Sequence, residues 1–341
     1  MTSIRRSMAA AVVATAVSFA AAAQDAPVHL KFAHWVPASH PIHPTIQAWL
    51  ASIEKQSNGT ITSTIYPAQQ LGKAFDHYNM ARDGIADIAY ANPGYEPGRF
   101  PVVGASEIPS IFADAKGGAG AFDAWYRKYA EREMKDVHYC LGFLHDPATI
   151  HSVKRKVVVP DDMRGLKVRP ANATIARLVA SLGGTNVQAS APEARDILEK
   201  GVADAITFPW GSTVLFGIDK VVKYHIDAQI YATEQILVMN KARYESLAPN
   251  QKKAIDDHCT TDWAIRISTP WADFEDAGRG KIKALSGHEI YPLTPEQLAQ
   301  WRKAADPLWD AWAEGVRGAG LDPTTVRSEL KAALSRFNAA Y

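Results

Sequence analysis

The 341-residue chain has only two cysteines, Cys140 and Cys259, and neither lies in a CxxC or a zinc-ligand spacing. A disulfide-dense scaffold and a structural zinc site are therefore excluded. An oxidising compartment would permit one bridge. The apolar, strand-like surroundings of Cys140 favour two buried free thiols instead. Charge of one sign is also missing, since 37 basic residues meet 36 acidic ones for a formal net charge of +1. That balance predicts no nucleic-acid partner and no membrane-surface binding. There is no GxSxG elbow, because Gly104-Ala105-Ser106 lacks the second glycine. Gly117-Gly118-Ala119-Gly120 lacks the lysine and the spacing of a phosphate loop and reads as the start of a helix. His40 and His43 have a helical ligand spacing, but Pro41 and Pro44 deny a regular helix there, so no metal is expected. No nucleophile–base set and no clear carboxylate pair emerges, so neither an enzyme nor a cofactor is expected. Repeats and low-complexity tracts are absent.

One long apolar run does occur, at residues 8–23, preceded by Arg5-Arg6 and ending in Ala21-Ala22-Ala23. This is the pattern of a signal peptide cleaved before Gln24, so residues 1–23 are expected to be removed and the chain exported to the periplasm. The rival reading is a retained anchor, for which the run is short. Cleavage would remove two arginines and leave 35 basic against 36 acidic residues.

The rest alternates strand-like and helix-like segments. A strand-like run ends at His34-Trp35, and a helix capped by Thr45 is expected over 46–56. Asn58-Gly59 marks a turn before a strand over 60–66. A helix over 73–83 ends at Gly84, and a strand over 87–92 opens onto Asn92, Tyr95 and Glu96. Residues 121–134 read as a helix and 139–144 as a strand, with a crossing between lobes at His145-Asp146-Pro147. Residues 250–285 read as a long helix that Pro270 should kink or break. The C-terminal helices carry Leu298, Trp301, Leu308, Trp309 and Trp312 as an apolar stripe.

Residues 162–210 organise the whole. They read strand, helix, strand, helix, strand, the pattern of a parallel sheet whose ligands bind at the strands' carboxyl ends. Arg169 ends the first of these strands; Phe208 and Trp210 stand at the end of the last. A guanidinium offers a planar fork that matches a carboxylate, and it stays charged at ordinary pH.

The run Asp162-Met163-Arg164-Gly165-Leu166-Lys167-Val168-Arg169 resembles the signature of the DctP-type solute-binding proteins of tripartite ATP-independent periplasmic (TRAP) transporters. Pro192-Glu193, Leu198, Gly201-Val202 and Asp204 continue the match. Gln70-Leu71-Gly72, Phe100-Pro101, Tyr224-His225 and Val238-Met239-Asn240-Lys241 extend it over nearly all of the chain. The resemblance implies an α/β, two-lobed periplasmic-binding-protein fold with a ligand cleft between lobes and a long helix bridging them. Lobe I would comprise 24–147 plus about 233–275, and lobe II 148–232 plus about 276–341. It also implies that Arg169 clamps a ligand carboxylate. Trp35, Asn92, Thr149 and Phe208 match positions that line the site in relatives. Where relatives often carry a second arginine this chain has Thr149, and where they carry an asparagine it has Phe208.

The expected ligand is accordingly a small organic anion, a monocarboxylate with an aromatic or apolar body or a hydroxy or keto acid. Trp35, Tyr95, Phe208 and Trp210 would pack that body. Asn92, Thr149, His145 and Glu96 would supply polar contacts. The resemblance implies a monomeric receptor that hands its cargo to membrane permease subunits. A sensory receptor for a signalling partner and a periplasmic enzyme are the alternatives.

Overall fold

The computed structural model describes residues 25–341; the expected signal peptide lies outside the described residues. The strands are β1 (Val28–Ala33), β2 (Ile61–Tyr66), β3 (Ile88–Ala91), β4 (Val137–Leu144), β5 (Thr149–Ser152), β6 (Lys167–Arg169), β7 (Thr185–Asn186), β8 (Ala205–Phe208), β9 (Tyr224–Asp227), β10 (Glu234–Asn240) and β11 (Glu289–Pro292). The helices are α1 (Ile42–Gln56), α2 (His77–Arg82), α3 (Ala115–Glu133), α4 (Ala173–Ser181), α5 (Ala194–Glu199), α6 (Trp210–Leu215), α7 (Lys241–Glu245), α8 (Pro249–Asp256), α9 (Thr261–Lys283), α10 (Pro295–Gly318) and α11 (Pro323–Arg336).

These elements build two lobes around two sheets. One has the order β2-β1-β3-β10-β4 and the other β11-β9-β5-β8-β6-β7. In each sheet a parallel core is joined by a strand running the other way: β10 is antiparallel to β3 and β4, and β5 to β8 and β9. The chain crosses from the first sheet to the second after β4 and returns after β9. The two crossings lie side by side, joined by an antiparallel bridge between Ala148 and Tyr231. The β6-α4-β7 and β6-β8 pairings are parallel, as the central stretch predicts.

α9 is the long helix that ties the two halves. It packs on α1, α3 and β4 of the first lobe and on α6 of the second. Its docking on α6 is backbone to backbone: a Cβ on Gly278 would fall 2.1 Å from the Gly211 nitrogen, so nothing larger than glycine fits. Beside that contact Glu275 accepts from the Ser212 N–H (2.9 Å) and hydroxyl and from Trp271 Nε1 (2.7 Å).

Four expectations are corrected. Pro270 does not break α9; the interruption falls at 257–260, where Thr260 caps the new helix by accepting from the Trp263 N–H. α1 starts at Ile42 rather than at 46, because Pro44 falls in the first turn, where its missing N–H would have had no helical partner. Cys140 and Cys259 are joined in a disulfide, since the turn at 257–260 is laid over the edge strand β4. Finally, 276–341 do not stay together on the second lobe. α11 packs on α3, with Trp125 Nε1 donating to the Val326 carbonyl (3.0 Å). The Gly117–Gly120 stretch is where the residues after α11 approach: a Cβ on Gly117 would meet the Phe337 carbonyl at 2.7 Å.

The disulfide spans 119 residues, so on the chain-entropy account it contributes about 4–5 kcal/mol. A Cys140→Ser/Cys259→Ser variant is expected to melt well below the wild type; equal midpoints would remove this contribution. Burial pushes the Glu275 carboxyl up to about 7. The folded form therefore binds its proton more tightly than the unfolded chain does, and this stabilisation fades as pH rises from about 4.5 through 7. The thermal midpoint of Glu275→Gln relative to wild type should accordingly rise between pH 5 and pH 8.

Candidate functional site

The two sheets face each other across a cleft, and the carboxyl ends of their parallel strands meet there. Trp35 follows β1, Asn92 follows β3, His145 follows β4, Arg169 ends β6 and Phe208 ends β8. These five and Tyr95 line one cavity of about 400 Å³, measured as all the empty space between its walls. The structure completes that wall with residues the sequence reading missed, among them His40, Tyr231, Gln235 and Trp271. Tyr231 and Gln235 belong to the returning crossing and the first residues of β10.

Arg169 is 2 % exposed. Its strand is held in register by β8, with Arg169 opposite Ile206. Nε donates to the Ala189 carbonyl at 2.9 Å, and Nη2 donates to the Tyr95 hydroxyl oxygen at 3.1 Å. The guanidinium carbon stands 5.6 Å from the centre of the Phe208 ring. Among the described residues no carboxylate forms a salt bridge with it. A buried cation without a counter-charge is costly, and an entering anion removes that cost.

The rest of the wall is neutral. Among the described residues no Asp or Glu lines the cavity. Burial pushes His40 down to about 3 and His145 down to about 4, so both imidazoles are uncharged near neutral pH. His145 donates from Nδ1 to the Asp146 carbonyl (2.7 Å), which leaves Nε2 as an acceptor. Behind the wall, the buried Glu234 carboxyl is pushed well up by burial and by neighbouring Glu107. Glu107 itself is pushed up to about 7 by burial.

Tyr95 joins the lobes. Its oxygen accepts from Arg169 and from the Ala191 N–H (3.0 Å), so a residue of the first lobe is held by two groups of the second. Thr174 donates to Glu107 across the same gap (2.6 Å), and Asn172 Nδ2 donates to Thr233 (3.1 Å). Asn92 Oδ1 is spent locally, accepting from the Gly94 N–H that holds Tyr95 in its turn.

Three expected site residues lie elsewhere. Trp210 would share a face with Phe208 if β8 continued. The strand stops at Phe208, Pro209 intervenes and α6 begins at Trp210, which turns the indole onto His151 and His225. Thr149 pairs with Phe208 in register, but its hydroxyl donates to the Ile226 carbonyl (2.8 Å) and is fully buried there. Glu96 is drawn to Arg99 (3.3 Å) and faces a separate groove beside Phe100 and Trp312. For Tyr231 and Gln235 the one positional signal is their place on the returning crossing, opposite the crossing that carries His145; His40 and Trp271 carry none.

Among the described residues no cluster of three or more potential metal ligands occurs, and no helix is long and apolar enough to cross a membrane. Residues 32–315 match the family described as bacterial extracellular solute-binding protein, family 7 (DctP). Over 325 residues the chain is 24% identical to the C4-dicarboxylate-binding periplasmic protein DctP of Rhodobacter capsulatus, covering 92% of this chain and 95% of that protein. A marine-metagenome TRAP solute-binding protein specific for aromatic acid ligands, solved with metahydroxyphenylacetate, superposes with a TM-score of 0.84. It shares 30% identity, with 91% of this chain and 99% of that chain covered. A TRAP solute-binding protein from Rhodoferax ferrireducens, solved with copurified benzoate, gives a TM-score of 0.85 at 25% identity, covering 91% and 98%. With the buried arginine at the meeting of two lobes and the match running through almost the whole chain, the protein belongs to the DctP family of TRAP transporter solute-binding proteins.

Proposed function

We infer that the protein captures a small monocarboxylate with an aromatic or apolar body in the periplasm, and passes it to the membrane permease subunits of a TRAP transporter. The observation that carries this reading is Arg169: a guanidinium, 2 % exposed, which among the described residues has no carboxylate partner and shares its cavity wall with no other charged group. One positive charge matches one carboxylate. A second carboxylate on the same ligand would be desolvated against Phe208, Trp35 and Trp271 with no cation to meet it. Thr149 standing where relatives often carry a second arginine supports the same conclusion. The rings around Arg169 favour a flat, apolar body, and the aromatic acids bound by the two similar receptors agree with it.

In this reading the guanidinium takes the carboxylate through the donors it does not spend on Ala189 and Tyr95. Trp35, Tyr95 and Phe208 enclose the body, with His145 and Asn92 at its edge. Closure follows from differential affinity: a ligand touching both lobes favours the state in which they meet. The two crossings joined at Ala148–Tyr231 and the docking of α9 on α6 are the hinges about which the lobes would turn.

The test is a thermal-shift screen of benzoate, phenylacetate, mandelate and their hydroxy and keto relatives, with succinate as a dicarboxylate control. Midpoint shifts grow with ligand excess over Kd. At least one aromatic monocarboxylate should raise the midpoint more than succinate does. Arg169→Ala should weaken that acid by roughly two orders of magnitude or more and abolish its shift. A shift retained in Arg169→Ala would remove the anchor.

A further inference from the structure

The cavity wall contains polar atoms that the protein itself leaves unanswered. Trp35 Nε1, Gln235 Oε1 and the Tyr231 hydroxyl are all buried and have no hydrogen-bond partner among the described residues. All three residues line the Arg169 cavity, and each is at most 6 % exposed. Buried polar groups are normally paired, because an unmade bond costs the full loss of hydration. Three such atoms on one wall describe what a ligand is to supply.

They divide into two sets by position. Tyr231 stands near Arg169 and Thr207, at the anchor end. Trp35 and Gln235 come from the opposite sheet. Trp35 follows β1, its ring 6.4 Å from that of Tyr95, and Gln235 lies in β10 opposite Phe143 of β4. An indole N–H can only donate, and an amide oxygen can only accept. A bare hydrocarbon body would leave both unpaired. A keto oxygen would answer the indole alone, and an ammonium the amide alone. A hydroxyl accepts from one and donates to the other.

We propose that Trp35 and Gln235 form a hydroxyl-reading subsite, so that this receptor selects a hydroxylated aromatic monocarboxylate over the parent acid that lacks the hydroxyl. The proposal rests on the monocarboxylate reading of Arg169 and adds the second polar group of the ligand and the two side chains that recognise it. A site built to bond a hydroxyl rejects the analogue without one, because its own groups are then left unpaired.

The test is calorimetric titration of the full mature chain with benzoate and its three monohydroxy isomers, and with phenylacetate and its three ring-hydroxy isomers. The variants are Gln235→Leu, Trp35→Phe and Arg169→Ala. In the wild type one hydroxy isomer should bind roughly tenfold or more tighter than its parent. Gln235→Leu and Trp35→Phe should each bring that ratio close to one. The readout is the ratio within each variant, which a general loss of fold or anchor does not bias toward one acid. Equal affinities in the wild type, or a ratio that survives both substitutions, would overturn the subsite while leaving the anchor standing if Arg169→Ala still weakens both acids together. Failure of every acid to bind the wild type would overturn the anchor reading and the subsite with it.

Discussion

The structure depends on a positive charge held out of water. Burying a guanidinium is unfavourable unless something meets it, and among the described residues no acid forms a salt bridge with Arg169. Two neutral oxygens, from Ala189 and Tyr95, orient it. The sheet register at Arg169–Ile206 fixes its backbone, and the Phe208 ring covers it. The two histidines of the cavity wall are neutral, since burial drives the protons off His40 and His145. The site is thus a single-charge well lined with rings.

The two-lobed architecture explains how such a well is reached. Each sheet directs the carboxyl ends of its parallel strands at the cleft, so neither lobe holds the whole site. Arg169 and Phe208 come from one lobe, and Trp35 and Tyr95 from the other. Tyr95 meets Arg169 directly, so Arg169 also takes part in holding the lobes together. In the proposed reading an entering carboxylate would address the same guanidinium as the Tyr95 oxygen, which would tie ligand capture to lobe contact. The glycine contact between α6 and α9 and the paired crossings would be the fixed points of the proposed closure.

The wall around Arg169 is mostly apolar and aromatic. Thr149 turns its hydroxyl back to the Ile226 carbonyl and cannot reach the cavity. Phe208 presents a ring to the guanidinium. The polar atoms that remain unanswered, on Trp35, Gln235 and Tyr231, are few and separated, which is the pattern by which a mostly apolar pocket gains selectivity.

Local rules alone identified most of the elements, the parallel arrangement of residues 162–210 and the position of Arg169 at a strand end. Strand alternation, helix caps and turn glycines act over a few residues and can be read there. Six of the nine expected site residues share the cavity, because strand ends are visible in the chain. Trp210 is absent from it because a strand stopped one proline earlier than its aromatic spacing suggested, and Glu96 because Arg99, three residues on, claimed it. Tyr231, Gln235, Trp271 and the Cys140–Cys259 bond needed the tertiary structure. Each depends on segments far apart in the chain being laid side by side, and a contact across 119 residues leaves no mark on the local pattern at either end.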